Sequence, residues 1–317
     1  MITVSKYRKG NEKRMKRFHW KDSTSIEVVL CFLIFIGILV FLVTWRRDDS
    51  AKGNDSKKAV ASEESLNSTK EESEPEDISY DLVCSDGTLG PEAADQLAVR
   101  VATNEKYQKI LDNSQAYPKS MLEWLIKNGE LIDFIADYPE KKDDPPADSI
   151  GEVTQGQIPL LIQWDQRWGY QPYGDGMIAD SGCGPTALAM VASGLRGDAS
   201  ITPFRIAQYA QENGYYVNGA GSSWELMTEA CYQFGVAGNV IGLGEESVKG
   251  ELLAGHPIIC SVRAGDFTDG GHFIVLTSVQ EDKIQVYDPN SIEKSSRLWD
   301  YAVLEPQIEN LWSFTPV

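Results

Sequence analysis

The segment Asp180-Ser181-Gly182-Cys183-Gly184-Pro185-Thr186 leads directly into an apolar run, Thr186 to Leu195. Proline suits the first turn of a helix, so we predict a buried helix that begins near Cys183. A thiol at this place faces the positive end of the helix dipole, which favours the thiolate. Gly182 and Gly184 leave room beside the sulfur for a substrate backbone. The segment indicates a cysteine nucleophile or, alternatively, a small residue packed at a turn.

A cysteine nucleophile needs a base, and one histidine usually serves as base and acid. Beyond residue 80 the chain has two histidines, His256 and His272. His256 lies in a turn between a predicted helix and a predicted strand, which is a structural position. His272 follows Gly270-Gly271 and opens a predicted strand, so space surrounds its ring. His272 is therefore the candidate base, and a histidine that is simply hydrogen-bonded at a strand edge is the alternative.

The candidate partner of His272 follows from the length of a hairpin. The strand that begins at His272 reaches a turn at Glu281-Asp282 and returns as Lys283 to Tyr287. This spacing predicts that Asp288 lies beside His272, directly across or diagonal. A carboxylate there fixes the tautomer of the imidazole and stabilises its cation. Asn290 is the alternative partner, and Asp288-Pro289-Asn290 is also typical of a turn.

Attack on an amide or thioester also requires donors for the oxyanion. The backbone N–H of Cys183 is one, and we predict a side-chain amide upstream, Gln163 first and Gln166 second. The alternative for either is a glutamine on a surface loop. Four aromatic residues nearby fit either a peptide groove or the core, and the tryptophans fit the core better: Trp164, Trp168, Tyr170 and Tyr173.

From residue 158 onward, the pattern of apolar residues is mixed α and β. The predicted helices are Ile201 to Asn213, Trp224 to Phe234 and Ser247 to Ala254, and the predicted strands are Pro257 to Val262, Phe273 to Val279 and Lys283 to Tyr287. Cys231 and Cys260 lie among apolar residues and are expected to be buried free thiols, a bridge between them being the alternative. The cysteines lack the spacing of metal ligands, and we expect neither a metal nor another cofactor.

Four motifs in this order resemble the bacteriocin-processing, double-glycine peptidases, cysteine peptidase family thirty-nine, and most of all their stand-alone C39-like branch. They are Gln163, Ser-Gly-Cys-Gly-Pro-Thr at Cys183, Gly-Gly-His-Phe-Ile-Val-Leu at His272 and Tyr-Asp-Pro-Asn at Asp288. The resemblance covers residues 156–317. It implies an α+β, papain-like fold in which the cysteine-bearing helix packs against an antiparallel sheet. It also implies Cys183 as nucleophile, His272 as base, Asp288 as its orienting partner and Gln163 as oxyanion donor.

The chain departs from the transporter-linked members of that family. Their glutamine precedes the cysteine by a few residues, whereas Gln163 lies twenty residues before Cys183, with a loop rich in tyrosine and glycine, Gly169 to Gly176, between them. No ATP-binding cassette follows, and the domain is expected to face outward. Double-glycine leaders are therefore not carried over as the substrate.

The N-terminal part of the sequence predicts a membrane anchor. Residues 1–25 are basic and are expected to form a cytoplasmic tail. Residues 26–45 contain an uncharged run of Leu, Ile, Val and Phe long enough to cross a bilayer as an uncleaved signal anchor, a cleaved signal peptide being the alternative. Residues 46–80 are acidic and polar, which predicts a disordered tether. The C-terminal region is then extracellular, as on the surface of a Gram-positive bacterium.

Residues 81–150 carry apolar residues at helical spacing and end at the linker Asp143-Asp144-Pro145-Pro146. We interpret them as a helical stalk or packing element, a lid being the alternative.

Three functions fit the sequence. The first is a membrane-anchored extracellular cysteine peptidase that hydrolyses peptide bonds. The second is an amidase or transpeptidase acting on cell-wall peptides, and the third is a non-catalytic domain that binds peptides or a surface partner. The net charge of −18 argues against nucleic acid as a partner. We expect a monomer whose partners are the membrane and a peptide or cell-wall peptide.

Overall fold

The computed structural model describes residues 81–317, which pack as one compact unit. The strands are β1 (Leu82–Cys84), β2 (Gly87–Leu89), β3 (Pro172–Tyr173), β4 (Gly176–Met177), β5 (Tyr216–Val217), β6 (Gly221–Ser222), β7 (Val236–Val240), β8 (Ile258–Val262), β9 (His272–Gln280), β10 (Lys283–Tyr287), β11 (Leu298–Trp299) and β12 (Ile308–Pro316).

The α-helices are α1 (Pro91–Ala98), α2 (Lys106–Asp112), α3 (Lys119–Lys127), α4 (Ile132–Lys141), α5 (Ile178–Ser181), α6 (Cys183–Arg196), α7 (Pro203–Glu212), α8 (Glu225–Thr228), α9 (Glu245–Leu253), α10 (Ile292–Ser295) and α11 (Tyr301–Leu304). Short 3-10 turns lie at Ser114–Ala116, Gly129–Leu131, Ala230–Phe234 and Glu305–Gln307.

Helix α6 is the central helix of the fold. Every residue from Gly184 to Leu195 is buried, as expected for a helix that is apolar nearly all round. It ends at Gly197, which adopts the left-handed conformation (φ 64°) that favours glycine. The helix packs on β9 and β12 of the main sheet. The prediction of an α+β fold, with the cysteine-bearing helix against an antiparallel sheet, is confirmed.

The main sheet has six antiparallel strands in the order β11-β10-β9-β8-β12-β7. One face, with Ile259, Val275 and Trp312, packs in the core of α6. The opposite face, with Cys260 and Ile274, packs against α9 in a second core. Because both faces are covered, the ends of these strands are firmly held, and β9 presents His272 at its first position.

The hairpin of β9 and β10 contains a bulge that decides where its residues point. Glu281 and Asp282 both have positive φ (51° and 66°), the conformation of a type I′ turn. The register runs from Ile284 opposite Val279 to Val286 opposite Leu276, so one extra residue, Thr277, lies in β9. This extra residue changes the alternation of faces along β9 relative to β10.

An N-terminal helical layer, residues 81–142, is formed by the β1–β2 hairpin and α1 to α4. Its buried residues share one hydrophobic core with Ile162, Trp164 and Tyr170 from the later part of the chain. The ring of Phe134 in α4 stacks on Tyr170 with 4.2 Å between ring centroids. The helical layer therefore packs directly on the segment that leads to Cys183.

The predictions for one helix and for the cysteines can be compared directly with the structure. The helix expected over Trp224 to Phe234 is wrong in extent: α8 ends at Thr228, and a 3-10 turn follows over Ala230–Phe234, with Gly235 (φ 74°) at its end. Cys231 and Cys260 are buried free cysteines, as is Cys84, and the half-buried Cys183 also forms no disulfide within residues 81–317. Within residues 81–317, no helix is both long enough and apolar enough to span a bilayer. The predicted anchor, residues 26–45, lies outside the described residues.

Candidate active site

Cys183 is the first residue of α6, and Gly182 precedes it as the N-cap. The backbone N–H of a residue at this place has no partner within its own helix and can point to a ligand. Gly184 is required by a close approach, because a Cβ there would lie 2.5 Å from the hydroxyl of Ser222 in β6. The small hairpin of β5 and β6 therefore lies against the start of the helix that carries the sulfur.

His272 and Asp288 form a buried pair beside this helix start. The Nε2 atom of His272 lies 2.7 Å from Oδ1 of Asp288, whose side chain is fully buried. With Nε2 donating to the carboxylate, Nδ1 remains for Cys183. Asn290 contributes through its backbone, since its N–H donates to the same Oδ1 at 2.8 Å. The partner of the histidine in this structure is thus Asp288.

The pKa values of Cys183 and His272 shift in opposite directions. Burial disfavours the thiolate, but the hydrogen bond with His272 and the positive charge of the imidazolium outweigh burial and lower the pKa of Cys183. Backbone N–H groups of Phe273 and Gly184 act on the sulfur in the same sense. Burial also disfavours the imidazolium, but the charge of Asp288 and its hydrogen bond outweigh burial and raise the pKa of His272. The site favours a thiolate–imidazolium pair.

Gln163 lies in the same region, whereas Gln166 does not. The buried Nε2 of Gln163 donates to the carbonyl of Ala179 at 2.7 Å, and the backbone N–H of Gln163 donates to Pro289 at 2.8 Å. Gln163 thus joins the segment before Cys183 to the segment after Asp288. The side chain of Gln166 instead bonds to Lys141 and Asp137 of the helical layer.

The loop that carries Asp288 is held by several hydrogen bonds. The N–H of Asp288 donates to Oγ of Ser295 at 2.8 Å, and Ser295 donates in turn to the carbonyl of Ser291. Trp164 donates through Nε1 to the carbonyl of Asn290 at 3.2 Å. The carboxylate therefore has a fixed position relative to the end of β10.

Two surface depressions are lined by residues close in sequence to Asp288 and to Cys183. One, of about 680 Å³, lies between the helical layer, the loop that precedes His272 and the loop that follows Asp288. Its lining includes Asn290. The other, of about 450 Å³, is lined by Asp180, three residues before Cys183. Trp124 and Lys127 of α3 line both. The sequence did not indicate that these two residues line a surface depression. The helical spacing of apolar residues predicts a helix but does not show which neighbour the helix packs against.

The structure also locates the remaining candidates. His256, in its turn, contacts Glu251 of α9, with 2.8 Å between Nδ1 and Oε2. The four aromatic residues considered for a groove are buried in the core: Trp164, Trp168, Tyr170 and Tyr173. In the part of the chain from residue 81 on, no three metal-ligating side chains cluster together.

Three solved structures are similar to this chain. The peptidase domain of Streptococcus ComA, a bi-functional ABC transporter involved in quorum sensing, has 18% sequence identity and a TM-score of 0.35, with 44% of this chain and 93% of that chain covered. A putative C39-like peptidase from Bacillus anthracis has 14% identity and a TM-score of 0.35, with 52% and 98% covered. A double glycine motif protease from an AMS/PCAT transporter, in complex with the leader peptide, has 18% identity and a TM-score of 0.34, with 52% and 98% covered.

No curated protein matches the chain. The model of the Peptidase_C39 like family matches residues 156–315, which is more than half of the sequence. The matched range contains the cysteine-bearing helix, the main sheet and the four motif positions discussed above. The resemblance inferred from those motifs is confirmed, and the chain belongs to the Peptidase_C39 like family.

Proposed function

We propose that the protein is a cysteine peptidase, anchored in the cell membrane by residues 26–45, that hydrolyses peptide bonds outside the cell. The observation that carries the proposal is the buried pair of His272 and Asp288, 2.7 Å apart, next to a cysteine whose pKa is lowered. A cysteine that serves only packing has no need of such a pair, and burial alone raises its pKa, as it does for Cys260.

In the proposed first half-reaction, the Cys183 thiolate attacks the carbonyl carbon of the scissile bond. The S–C bond forms, and the oxyanion accepts hydrogen bonds from the Cys183 N–H and from Gln163 Nε2, which gives up its bonds to the carbonyls of Ala179 and Asp180 in this step. When the tetrahedral intermediate collapses, the C–N bond breaks and the imidazolium of His272 gives its proton to the leaving amine. Asp288 holds the ring in place throughout.

In the proposed second half-reaction, a water molecule attacks the thioester. Neutral His272 takes a proton from the water as the C–O bond forms. Collapse then breaks the S–C bond, releases a carboxylic acid and restores the thiolate–imidazolium pair. An amine in place of water would give transpeptidation from the same thioester, so the acceptor decides between the two outcomes.

Two surface depressions support an extended peptide as the substrate. One is lined by Asn290, two residues after Asp288, and the other by Asp180, three residues before Cys183, and both are lined by Trp124 and Lys127 of α3. Trp124 of α3 lines both depressions and offers an aromatic surface between them. Concave sites with a few polar groups are the usual place for ligands of this size.

The anchor is supported by the sequence. Residues 1–25 are basic, and such flanks stay in the cytoplasm, which places the C-terminal region outside. Cysteine accessibility in intact cells tests this part: a membrane-impermeant maleimide should label a cysteine introduced at Ser73. Labelling only after permeabilisation would contradict the proposed orientation.

The catalytic part is tested with a thiol-directed active-site probe and a peptide library on the purified full-length chain. We expect rapid labelling and peptide cleavage in the wild type, with both lost in Cys183→Ala. In His272→Ala, labelling at pH 6 should fall, because the thiolate loses its cation. Labelling that persists in Cys183→Ala, or wild-type labelling that follows the pH profile of an ordinary thiol, would overturn the proposed mechanism.

A further inference from the structure

The 3-10 turn Gly129–Leu131 of the helical layer reaches the loop that carries Asp288. The carboxylate of Glu130 accepts three hydrogen bonds from that loop: from the hydroxyl of Ser291 at 3.1 Å, and from the backbone N–H groups of Ile292 at 2.7 Å and Glu293 at 2.9 Å. Both carboxylate oxygens take part. The side chain of Glu130 thus caps the first turn of α10.

Asn128 adds to this contact. Its Oδ1 accepts from the Glu130 N–H at 3.0 Å and so fixes the turn that carries the glutamate. Its Nδ2 donates to the carbonyl of Asn290 at 3.3 Å. Two neighbouring side chains of the helical layer therefore bond to the segment that follows Asp288.

The contact is transmitted to Asp288 through short links. Ser291, which donates to Glu130, bridges to Asp288 in the backbone and accepts at its carbonyl from Ser295. Ser295 in turn accepts from the N–H of Asp288. These bonds connect Asp288, Ser291 and Ser295 within one loop. Glu130 holds the C-terminal part of this loop, and the N-terminal part continues from β10.

We propose that Glu130 is a positioning residue for the catalytic centre, so that the helical layer N-terminal to the matched range 156–315 is part of the active enzyme. This inference rests on the proposed function. Glu130 sets the place of Asp288 through the loop, and Asp288 sets the tautomer and charge of His272. Glu130 also lines one of the depressions proposed for the peptide, but its carboxylate is bonded to the loop, and its proposed role is to position Asp288.

The hydrogen bond between His272 and Asp288 depends closely on where the carboxylate is placed. The bond between His272 and Asp288 is buried, and a carboxylate that moves away by an ångström gives up most of that bond. Misplacement of supporting groups by this amount costs rates of up to about a hundredfold in other enzymes. Loss of Glu130 should therefore weaken the imidazolium and raise the pKa of Cys183.

The experiment compares Glu130→Gln with the wild type in the full-length chain, by the rate of Cys183 alkylation with iodoacetamide between pH 5 and pH 9. We expect the pH midpoint to rise by about one unit, so that alkylation is about tenfold slower at pH values below the wild-type midpoint. On a cleaved peptide, kcat should fall. Glu140→Gln, an exposed acid of the same layer paired with Lys109, is the matched control and should follow the wild type.

The outcomes separate the two proposals. If the profile of Glu130→Gln coincides with the wild type while His272→Ala departs from it, the role of Glu130 is overturned and the proposed function stands. If His272→Ala also coincides with the wild type, the proposed function itself fails. Should Glu130→Gln not fold, Ser291→Ala removes one of the three bonds and must give a smaller shift in the same direction; no shift there would also overturn the role.

Discussion

At the scale of single residues, the site is built on opposing effects on the Cys183 thiol. Burial raises a thiol pKa, and Cys260, buried in β8, shows that effect alone. At Cys183 the contact with His272 outweighs burial and the pKa is lowered. The difference in pKa between these two cysteines therefore lies in their neighbours, and the charge on His272 depends in turn on Asp288.

Asp288→Asn tests this dependence. The substitution keeps the shape of the side chain and removes the negative charge, so the pKa of His272 should fall towards or below its ordinary value. The thiolate then loses its cation at neutral pH, and the pH midpoint of Cys183 alkylation should move upward by one unit or more, which slows alkylation about tenfold or more at pH values below the wild-type midpoint. Asp300→Asn, an exposed acid paired with Lys283, should leave the profile unchanged. An unchanged profile in Asp288→Asn would contradict the role of the carboxylate.

Gly184→Ala tests the close approach beside Cys183. A Cβ at this position would lie 2.5 Å from Oγ and 2.7 Å from Cβ of Ser222, so the β5–β6 hairpin must shift. We expect a loss of about 1–3 kcal/mol in the free energy of unfolding, measured with urea. Ser222→Gly frees the space, and the double variant should therefore be more stable than the sum of the two single changes predicts. Strict additivity would show that the contact does not limit this position.

At the scale of elements, the hairpin of β9 and β10 shows what the sequence could predict. Alternation and the turn residues predicted both strands and placed Asp288 near His272, and the observed relation is diagonal. The bulge at Thr277 could not be predicted from the sequence, because a single extra residue in the strand leaves the pattern of apolar residues intact. Without it, Asp288 would lie opposite Val275 and point to the other face from His272.

The same hairpin allows a prediction about stability. Glu281 is a non-glycine residue with φ of 51° in the type I′ turn, a position where Asn and Gly are favoured. Glu281→Asn should relieve backbone strain and raise the free energy of unfolding by about 0.5–1 kcal/mol. The substitution leaves the ion pair of Asp282 with Lys249 in place. A higher urea midpoint at unchanged slope is the expected result, and a lower midpoint would contradict the strain argument.

Strand β12 is the element that sequence reasoning left out. It lies inside the sheet between β8 and β7, and its apolar residues Leu311, Trp312 and Phe314 serve both faces. Adjacent apolar residues that point to opposite cores do not alternate with polar ones, so the pattern of a half-buried strand is absent. Its place depends on pairing with two strands, one about 50 and the other about 75 residues earlier in the chain, which no local pattern contains.

At the scale of the whole molecule, the helical layer and the family domain share one hydrophobic core. The apolar faces of α3 and α4 could be predicted from their helical spacing, but the surface that covers them could not. In the structure these faces meet Ile162, Trp164 and Tyr170, just before the cysteine-bearing helix. Such a core predicts that both parts unfold together, in one transition, rather than as a stalk and a separate domain.

Phe134→Ala distinguishes these two kinds of unfolding. Phe134 is fully buried and stacks on Tyr170 across the junction, so the substitution should cost about 3–5 kcal/mol. Cys84 in β1 and Cys260 in β8 are both buried free thiols, one in each part, and peptide-resolved alkylation in urea reports on each. If the two parts form one cooperative unit, both thiols become reactive at the same lower midpoint in Phe134→Ala.

Leu311→Ala, a buried leucine on the opposite side of the main sheet, is the matched control. Its cavity lies far from the junction in the fold, and in a single cooperative unit it must still lower the midpoints of Cys84 and Cys260 equally. If Phe134→Ala exposes Cys84 first while Leu311→Ala exposes Cys260 first, the helical layer unfolds on its own. The positioning role of Glu130 would then be lost whenever the layer opens, and peptidase activity would follow the stability of the layer instead of that of the sheet.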